Sequence, residues 1–97
     1  MGVNDVFRAL ADPTRREILR LLRKRDMTAG EIGGQFPLAP STLSGHFNVL
    51  KQAGLIVAKR KSTTLVYSLN VPAAEESVGE LMGLLRVAHP PQKGREP

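Results

Sequence analysis

Two stretches that each carry the marks of a complete helix stand only about three residues apart, Pro37 to Ala39. The first opens on Thr28-Ala29-Gly30-Glu31, a T-x-x-E capping box in which a hydroxyl and a carboxylate serve each other's backbone N–H groups. Ile32 and Phe36 supply its inward contacts, while Gly33, Gly34 and Pro37 keep it short. The second runs from Leu38 to Gly54. Pro40 suits a first helical turn, where a missing N–H costs nothing, and Gly54 suits a left-handed stop. Leu43, Phe47 and Leu50 recur at helical spacing and form one narrow apolar stripe. Two short helices joined this tightly make a helix-turn-helix.

The face of the second helix opposite that stripe carries Ser41, Gly45, Asn48 and Gln52, flanked by Thr42 and Ser44. An ordinary surface helix of a basic protein carries Lys and Glu there; this one is short-chained, polar and nearly uncharged. Two readings fit. The face is a plain solvent face, or it is a DNA-recognition surface whose hydroxyl and amide groups bond base edges and phosphates at close range.

The residues after the helix favour the second. Leu55-Ile56-Val57-Ala58 and Thr64 to Leu69 read as strands, rich in β-branched and aromatic residues. Lys59-Arg60-Lys61-Ser62-Thr63 joins them, so a hairpin with a basic tip, a wing, stands beside the recognition candidate. Cations at an exposed tip are often merely solvated, but beside such a helix phosphate contact is the better reading, with Lys51 joining them. Lys and Arg number 14 against 9 Asp and Glu, a formal charge of +5, and this balance suits a polyanion such as double-stranded DNA.

The flanks add helices. Val3, Val6, Phe7 and Leu10 make a first short amphipathic helix. Asp12 is a good N-cap and Pro13 a good first residue for a second, reaching about Lys24 with Ile18, Leu19, Leu21 and Leu22 inward. Its Arg23, Lys24 and Arg25 suit a helix C-terminus, but Arg15 and Arg16 sit near the N-terminus, where cations are unfavourable. After Asn70 and Pro72 a last helix runs to about Arg86, with Val78, Leu81, Met82 and Leu85 as its stripe and Glu75, Glu76 and Glu80 toward its N-terminal end. Gly79 and Gly83 lie four apart on it, and either permit close helix approach or simply weaken the helix in water. The expected fold is mainly α with a small β-hairpin, a winged helix-turn-helix of order α-α-α-α-β-β-α. Residues 1–86 form the one domain, and 87–97 form a disordered tail with no apolar anchor. A domain of 97 residues buries roughly 60–65% of its unfolded surface, so help from a partner subunit is reasonable.

Several chemistries drop out. Without cysteine there is no disulfide, thiolate metal site or thiol nucleophile. No apolar run approaches the roughly 20 residues of a membrane span. The opening MGVNDVFRAL is neither a signal peptide nor, with Val6 at the sixth position, a myristoylation signal, so a soluble, cytoplasmic protein is expected. Ser41, Ser44 and His46 lie close together, but no carboxylate nearby orients the histidine, and no enzyme is read here.

Four segments, FRALADPTRREILRLL at 7–22, MTAGEI at 27–32, STLSGHFNVLKQAGLI at 41–56 and YSLN at 67–70, together resemble the ArsR family of small bacterial winged-helix repressors. The likeness spans roughly residues 3–86 and is strongest to a short, cysteine-free autorepressor subgroup. It implies a homodimer held by its first and last helices, a near-palindromic operator, and repression of transcription. Val3, Val6, Phe7, Leu10, Val78, Leu81, Met82 and Leu85 are the matching interface candidates, and their stripes suit an interface independently. The Cys-x-Cys pair of the metal-sensing members is missing, and the last helix offers only Glu75, Glu76 and Glu80. Oxygen ligands alone make a poor zinc or nickel site, so neither metal nor cofactor is expected. Where the family often has Gly and Arg at the wing tip, this chain has Ser62 and Thr63. Phosphate contact by Lys59, Arg60 and Lys61 is retained, and a deep minor-groove arginine is not. His46 matches the family's recognition-helix histidine but lies at the edge of the apolar stripe, where packing, a phosphate bond and base reading are all open. Gly45 sits mid-face, so either the backbone comes close to DNA or specificity rests on neighbours and DNA shape. The competing reading is a protein-interaction winged helix without specific DNA binding.

Overall fold

Asp12 stands between the first two helices and caps the second. The structure, a computed structural model, describes residues 3–85, with the side chain of Val3 outside the description. Helix α1 spans Val3–Leu10 and α2 spans Pro13–Lys24. Asp12 has an extended backbone, and its Oδ1 accepts from the N–H groups of Thr14 at 2.7 Å and Arg15 at 3.2 Å. Burial pushes the Asp12 carboxyl up, but those two N–H bonds, helped by the neighbouring Arg15 guanidinium, outweigh it and hold the group below its ordinary 3.8.

The same junction accounts for the two arginines that suit their own helix so poorly. Arg15 donates from Nε to the Ala9 carbonyl at 2.9 Å and from Nη2 to the Arg8 carbonyl at 2.7 Å. Arg16 donates from Nη1 to the Leu10 carbonyl at 2.7 Å. Three consecutive carbonyls at the end of α1 thus accept from cations at its negative pole, the Arg8 carbonyl also taking the Ala11 N–H at 3.3 Å.

Thr28 does two jobs. With Met27 it forms a short strand, β1, Met27–Thr28. It also caps α3, Ala29–Gly33, through the full capping box: Thr28 Oγ1 accepts from the Glu31 N–H at 3.0 Å, and Glu31 Oε1 accepts from the Thr28 N–H at 2.9 Å. Phe36 lies beyond the end of α3 but still packs on the core. Helix α4, Pro40–Gln52, follows the turn. The two helices approach closely: a Cβ at Gly33 would lie 3.3 Å from Leu43 Cδ2. At the far end Gly54 takes φ 75, its N–H donates to Lys51, and the Leu55 N–H reaches back to Leu50. This is the Schellman arrangement, with Leu50 and Leu55 both buried as its hydrophobic pair.

Strands β2, Ile56–Lys61, and β3, Thr64–Leu69, form the hairpin. The expected wing is corrected in two respects. Lys59, Arg60 and Lys61 are not connector residues. They pair with Val66, Leu65 and Thr64, so only Ser62 and Thr63 form the turn. The sheet also has a third strand, in the order β1-β3-β2, because Met27 and Thr28 pair with Tyr67 and Val66. Ser62 has φ 59 and Thr63 does not share the sign. A positive φ at the first turn residue alone is the φ signature of a type II′ turn, the place where glycine is favoured.

Helix α5 covers Val71–Leu85, so Pro72 is its second residue, and Glu75, Glu76 and Glu80 fall past its first turn. Their expected match to the helix N-terminus is therefore weaker than the sequence suggested. Asn70 leads in: its N–H donates to the Leu55 carbonyl and its carbonyl accepts from Ala74. Arg86 and the expected tail, 87–97, lie outside the described residues. The core comprises Ile18 and Leu22 of α2, Ile32 of α3, Leu43, Phe47 and Leu50 of α4, and Met27, Ile56 and Tyr67 of the sheet, together with Val6, Ala9, Ala53 and Leu55. Helix α5 contributes no buried residue. The helix-turn-helix of α3 and α4, followed by the β2–β3 wing and closed by α5, is a winged helix-turn-helix.

Candidate nucleic-acid interface

The stripe that buries α4 also decides what it shows. With Leu43, Phe47 and Leu50 inward, the 3.6-residue period turns Ser41, Thr42, Ser44, Gly45, Asn48, Lys51 and Gln52 outward, and all seven are exposed. None of their side chains has a hydrogen bond or ion pair among the described residues. Among the described residues no packing neighbour lies within 4 Å of where a Gly45 Cβ would sit, so no contact there demands glycine. Ala39 gives the helix no side-chain cap, which leaves its first amides available to an outside acceptor.

The helix and the wing are fixed to each other by a stack of Phe47 on Tyr67, the central β3 residue that pairs with both Met27 and Ala58. Strand alternation then divides the wing cations. Arg60 shares a face with Ala58 and, across the ladder, with Leu65 and Tyr67, the side on which α4 packs. Lys59 and Lys61 share the opposite face with Val57. All three are exposed, as are Ser62 and Thr63.

His46 differs from the exposed residues beside it on α4. It is half-buried, and its Nδ1 lies 3.1 Å from Arg15 Nη1. One ring nitrogen thus faces inward. This link was not legible from periodicity; the misplaced charge of Arg15 was its one signal.

The interface candidates separate into three kinds. Val6 is buried within the chain's own core, and the side chain of Val3 is not described. Leu81 and Met82 are half-buried. Phe7, Leu10, Val78 and Leu85 are exposed, Val78 by 55% and Leu85 by 62%. Leu84, at 66%, extends the apolar surface and was missed because it lies off the stripe. Between α1 and α5 runs a cleft of about 240 Å³, lined by Phe7, Leu10, Val78 and Leu81 among other apolar groups. Among the described residues no three His, Asp or Glu side chains are grouped to hold a metal, and no helix is long and apolar enough to cross a membrane.

Comparison with known proteins matches this architecture. The profile described as bacterial regulatory protein, arsR family, covers residues 12–57, from the cap of α2 into β2. The chain is 42% identical over 83 residues to the transcriptional repressor SdpR of Bacillus subtilis, spanning 86% of this chain and 92% of that one. The crystal structure of Rv0081 of Mycobacterium tuberculosis superposes with a TM-score of 0.66 at 37% identity, covering 84% of this chain and 83% of that one. The solution structure of the homodimeric winged helix-turn-helix DNA-binding domain Mb0332 of Mycobacterium bovis gives 0.67 at 27% identity, covering 90% and 85%. The matched family consists of regulators rather than enzymes. On the identity and coverage shared with SdpR, and on the profile across the helix-turn-helix, this chain belongs to the ArsR family of bacterial regulatory proteins.

Proposed function

We propose that the protein is a transcriptional repressor that binds double-stranded DNA as a homodimer. The observation that carries this is the outer face of α4. Seven exposed residues on it have side chains with no partner among the described residues, and the hairpin that packs on α4 carries three exposed cations. A face of short hydroxyl and amide groups fits a major groove, and cations on the adjoining hairpin fit the phosphates that flank it. Ser41, Thr42, Ser44, Asn48 and Gln52 are the candidates for reading bases. Lys51, Lys59, Arg60 and Lys61 are the candidates for phosphates. The name of SdpR, a transcriptional repressor, supports the direction of control.

The dimer reading rests on α5, which has no buried residue in the single chain. A second copy covering α1 and α5 would present two α4 helices related by a twofold axis, and two inverted half-sites would result. The DNA upstream of the protein's own gene is the first operator to test.

The experiment is a titration of that duplex and of a random duplex at several salt concentrations, with the unmutated chain and with Asn48→Ala. Repressor binding requires a steep loss of affinity with salt and a preference for one duplex. Asn48→Ala should then lower operator affinity by about 1–3 kcal/mol for each base it no longer reads, with the salt slope unchanged. Salt-insensitive or absent binding favours a protein-interaction module instead.

A further inference from the structure

We infer that Arg15 is a positioning residue for DNA recognition: it holds His46 so that the ring offers a single N–H donor, at Nε2, to an acceptor on the duplex. The inference rests on the DNA-binding reading above and adds a residue outside both the recognition helix and the wing.

The chemistry comes from what a guanidinium can do. Its nitrogens donate and never accept, and it keeps its charge at any pH a protein meets. Arg15 Nη1 lies 3.1 Å from His46 Nδ1. For that contact to be a hydrogen bond, Nδ1 must accept, so the ring is neutral and its proton sits on Nε2. His46 has no other hydrogen-bond partner among the described residues, which leaves the Nε2–H group uncommitted. The ring is half-buried on a helix whose neighbours Gly45 and Ser44 are exposed.

Arg15 is held firmly enough to impose this. Its backbone N–H is bound by Asp12 Oδ1 at 3.2 Å. Its guanidinium plane is pinned on two carbonyls of α1, Ala9 at 2.9 Å and Arg8 at 2.7 Å. A planar fork with two of its nitrogens fixed has little freedom left for the third, whereas a lysine in its place would offer one rotating ammonium. A group anchored on α1 and α2 thus sets the ring on α4.

The acceptor is a hydrogen-bond acceptor of the duplex, either a phosphate oxygen or a base edge. The test is a double-mutant cycle on the full chain, with Arg15→Lys, His46→Ala and the pair, titrated against operator and random duplex. Each single variant should lose about tenfold in operator affinity, and the pair should lose no more than His46→Ala alone. Losses confined to the operator assign the acceptor to a base edge, and equal losses on both duplexes assign it to a phosphate. Losses that add in the pair overturn the positioning role, since an arginine that merely caps α1 would act independently of the ring. Long-range proton–nitrogen spectra of the unmutated chain above neutral pH keep the claim testable even if a variant unfolds. They should show Nδ1 as the unprotonated nitrogen and Nε2 as the protonated one; a proton on Nδ1 overturns the inference. Absence of sequence-preferring binding by the unmutated chain overturns the DNA reading itself, whereas preference with additive losses overturns only the role of Arg15.

Discussion

Phe47 of α4 stacks on Tyr67 of β3 with ring centroids 4.6 Å apart and planes 28° from parallel. Both residues are buried, with exposures of 4% and 5%, so the pair belongs to the core while joining α4 to the wing. Such pairs add about 0.5–1.5 kcal/mol beyond the area they bury. The Tyr67 hydroxyl has no hydrogen-bond partner among the described residues. Phe47→Ala should therefore cost about 3–5 kcal/mol of stability, and Tyr67→Phe less than about 0.5 kcal/mol, because no hydrogen bond is removed. Denaturant unfolding at one fixed protein concentration compares them, since the stability of the proposed dimer would depend on concentration. Comparable losses for the two variants would mean that the hydroxyl, not the ring stack, makes the joint.

Asp12 gives a pH-dependent term of known sign. Its carboxyl is held below its ordinary 3.8 in the folded chain. A depressed carboxylate contributes stability that is fully present above the unfolded value and is lost as pH falls through the folded one. Asp12→Ala should cost about 0.5–2 kcal/mol at neutral pH, the usual penalty for a missing N-cap. The gap between the two proteins should stay constant down to about pH 5 and narrow as pH falls below about 4. Asp12→Asn, which caps without charge, should keep most of the stability and lose the pH dependence. A gap that widens on acidification would contradict the cap assignment.

The helices were legible because their ends are written in side-chain chemistry. Asp12-Pro13, the Thr28–Glu31 box and Gly54 each act within a few residues, and each is found as expected. The illegible features depend on groups distant in the chain. The strand at Met27 and Thr28 exists because Tyr67 and Val66 lie beside it, and a two-residue strand has no alternation to read. The wing cations looked like connector residues because a run of three charges carries no strand pattern. Their strand character comes from the backbone ladder to Val66, Leu65 and Thr64. Ser62 could be singled out only as a departure from glycine; its φ of 59 is what makes that departure costly. On α4, periodicity placed Asn48 and Gln52 on the outer face, and both are exposed there. It could not find the turn of His46 toward Arg15, 31 residues earlier in the chain.

The division of the wing cations leads to unequal effects. Arg60 lies on the α4 side of the hairpin, and Lys59 and Lys61 lie on the other. A duplex seated on α4 should meet the Arg60 face first. Removing one phosphate contact from each subunit of a dimer should make the slope of log affinity against log salt shallower by about 1.8, that is, about 0.9 per phosphate. Arg60→Ala is expected to show that change on operator and random duplex alike. Lys59→Ala and Lys61→Ala should each show less. The assignment fails if Arg60→Ala leaves the slope unchanged while either lysine variant shifts it.

The last expectation concerns the dimer, and the structure alters which residue tests it best. Leu81 sits half-buried in the cleft between α1 and α5, so Leu81→Asp would damage the packing of the single chain as well as any interface. Leu85 is 62% exposed and lines no part of that cleft. Its apolar side chain lies with Val78 on a helix that has half-buried residues but no fully buried one in the single chain. Large exposed apolar patches of this kind mark association surfaces. A twofold axis would bring the substitution in twice, and an unpaired charge left in a closed interface costs about 3–5 kcal/mol. Leu85→Asp should therefore weaken the dimer by at least about a hundredfold, with helix content retained because the residue is solvent-facing in the single chain. Light scattering at micromolar concentration should report two chains for the unmutated protein and one for the variant. Operator affinity should fall with the mass, since a lone subunit reads only one half-site. An unmutated protein that runs as one chain would refute the dimer. A variant that stays dimeric while Val78→Asp dissociates would move the interface toward the start of α5.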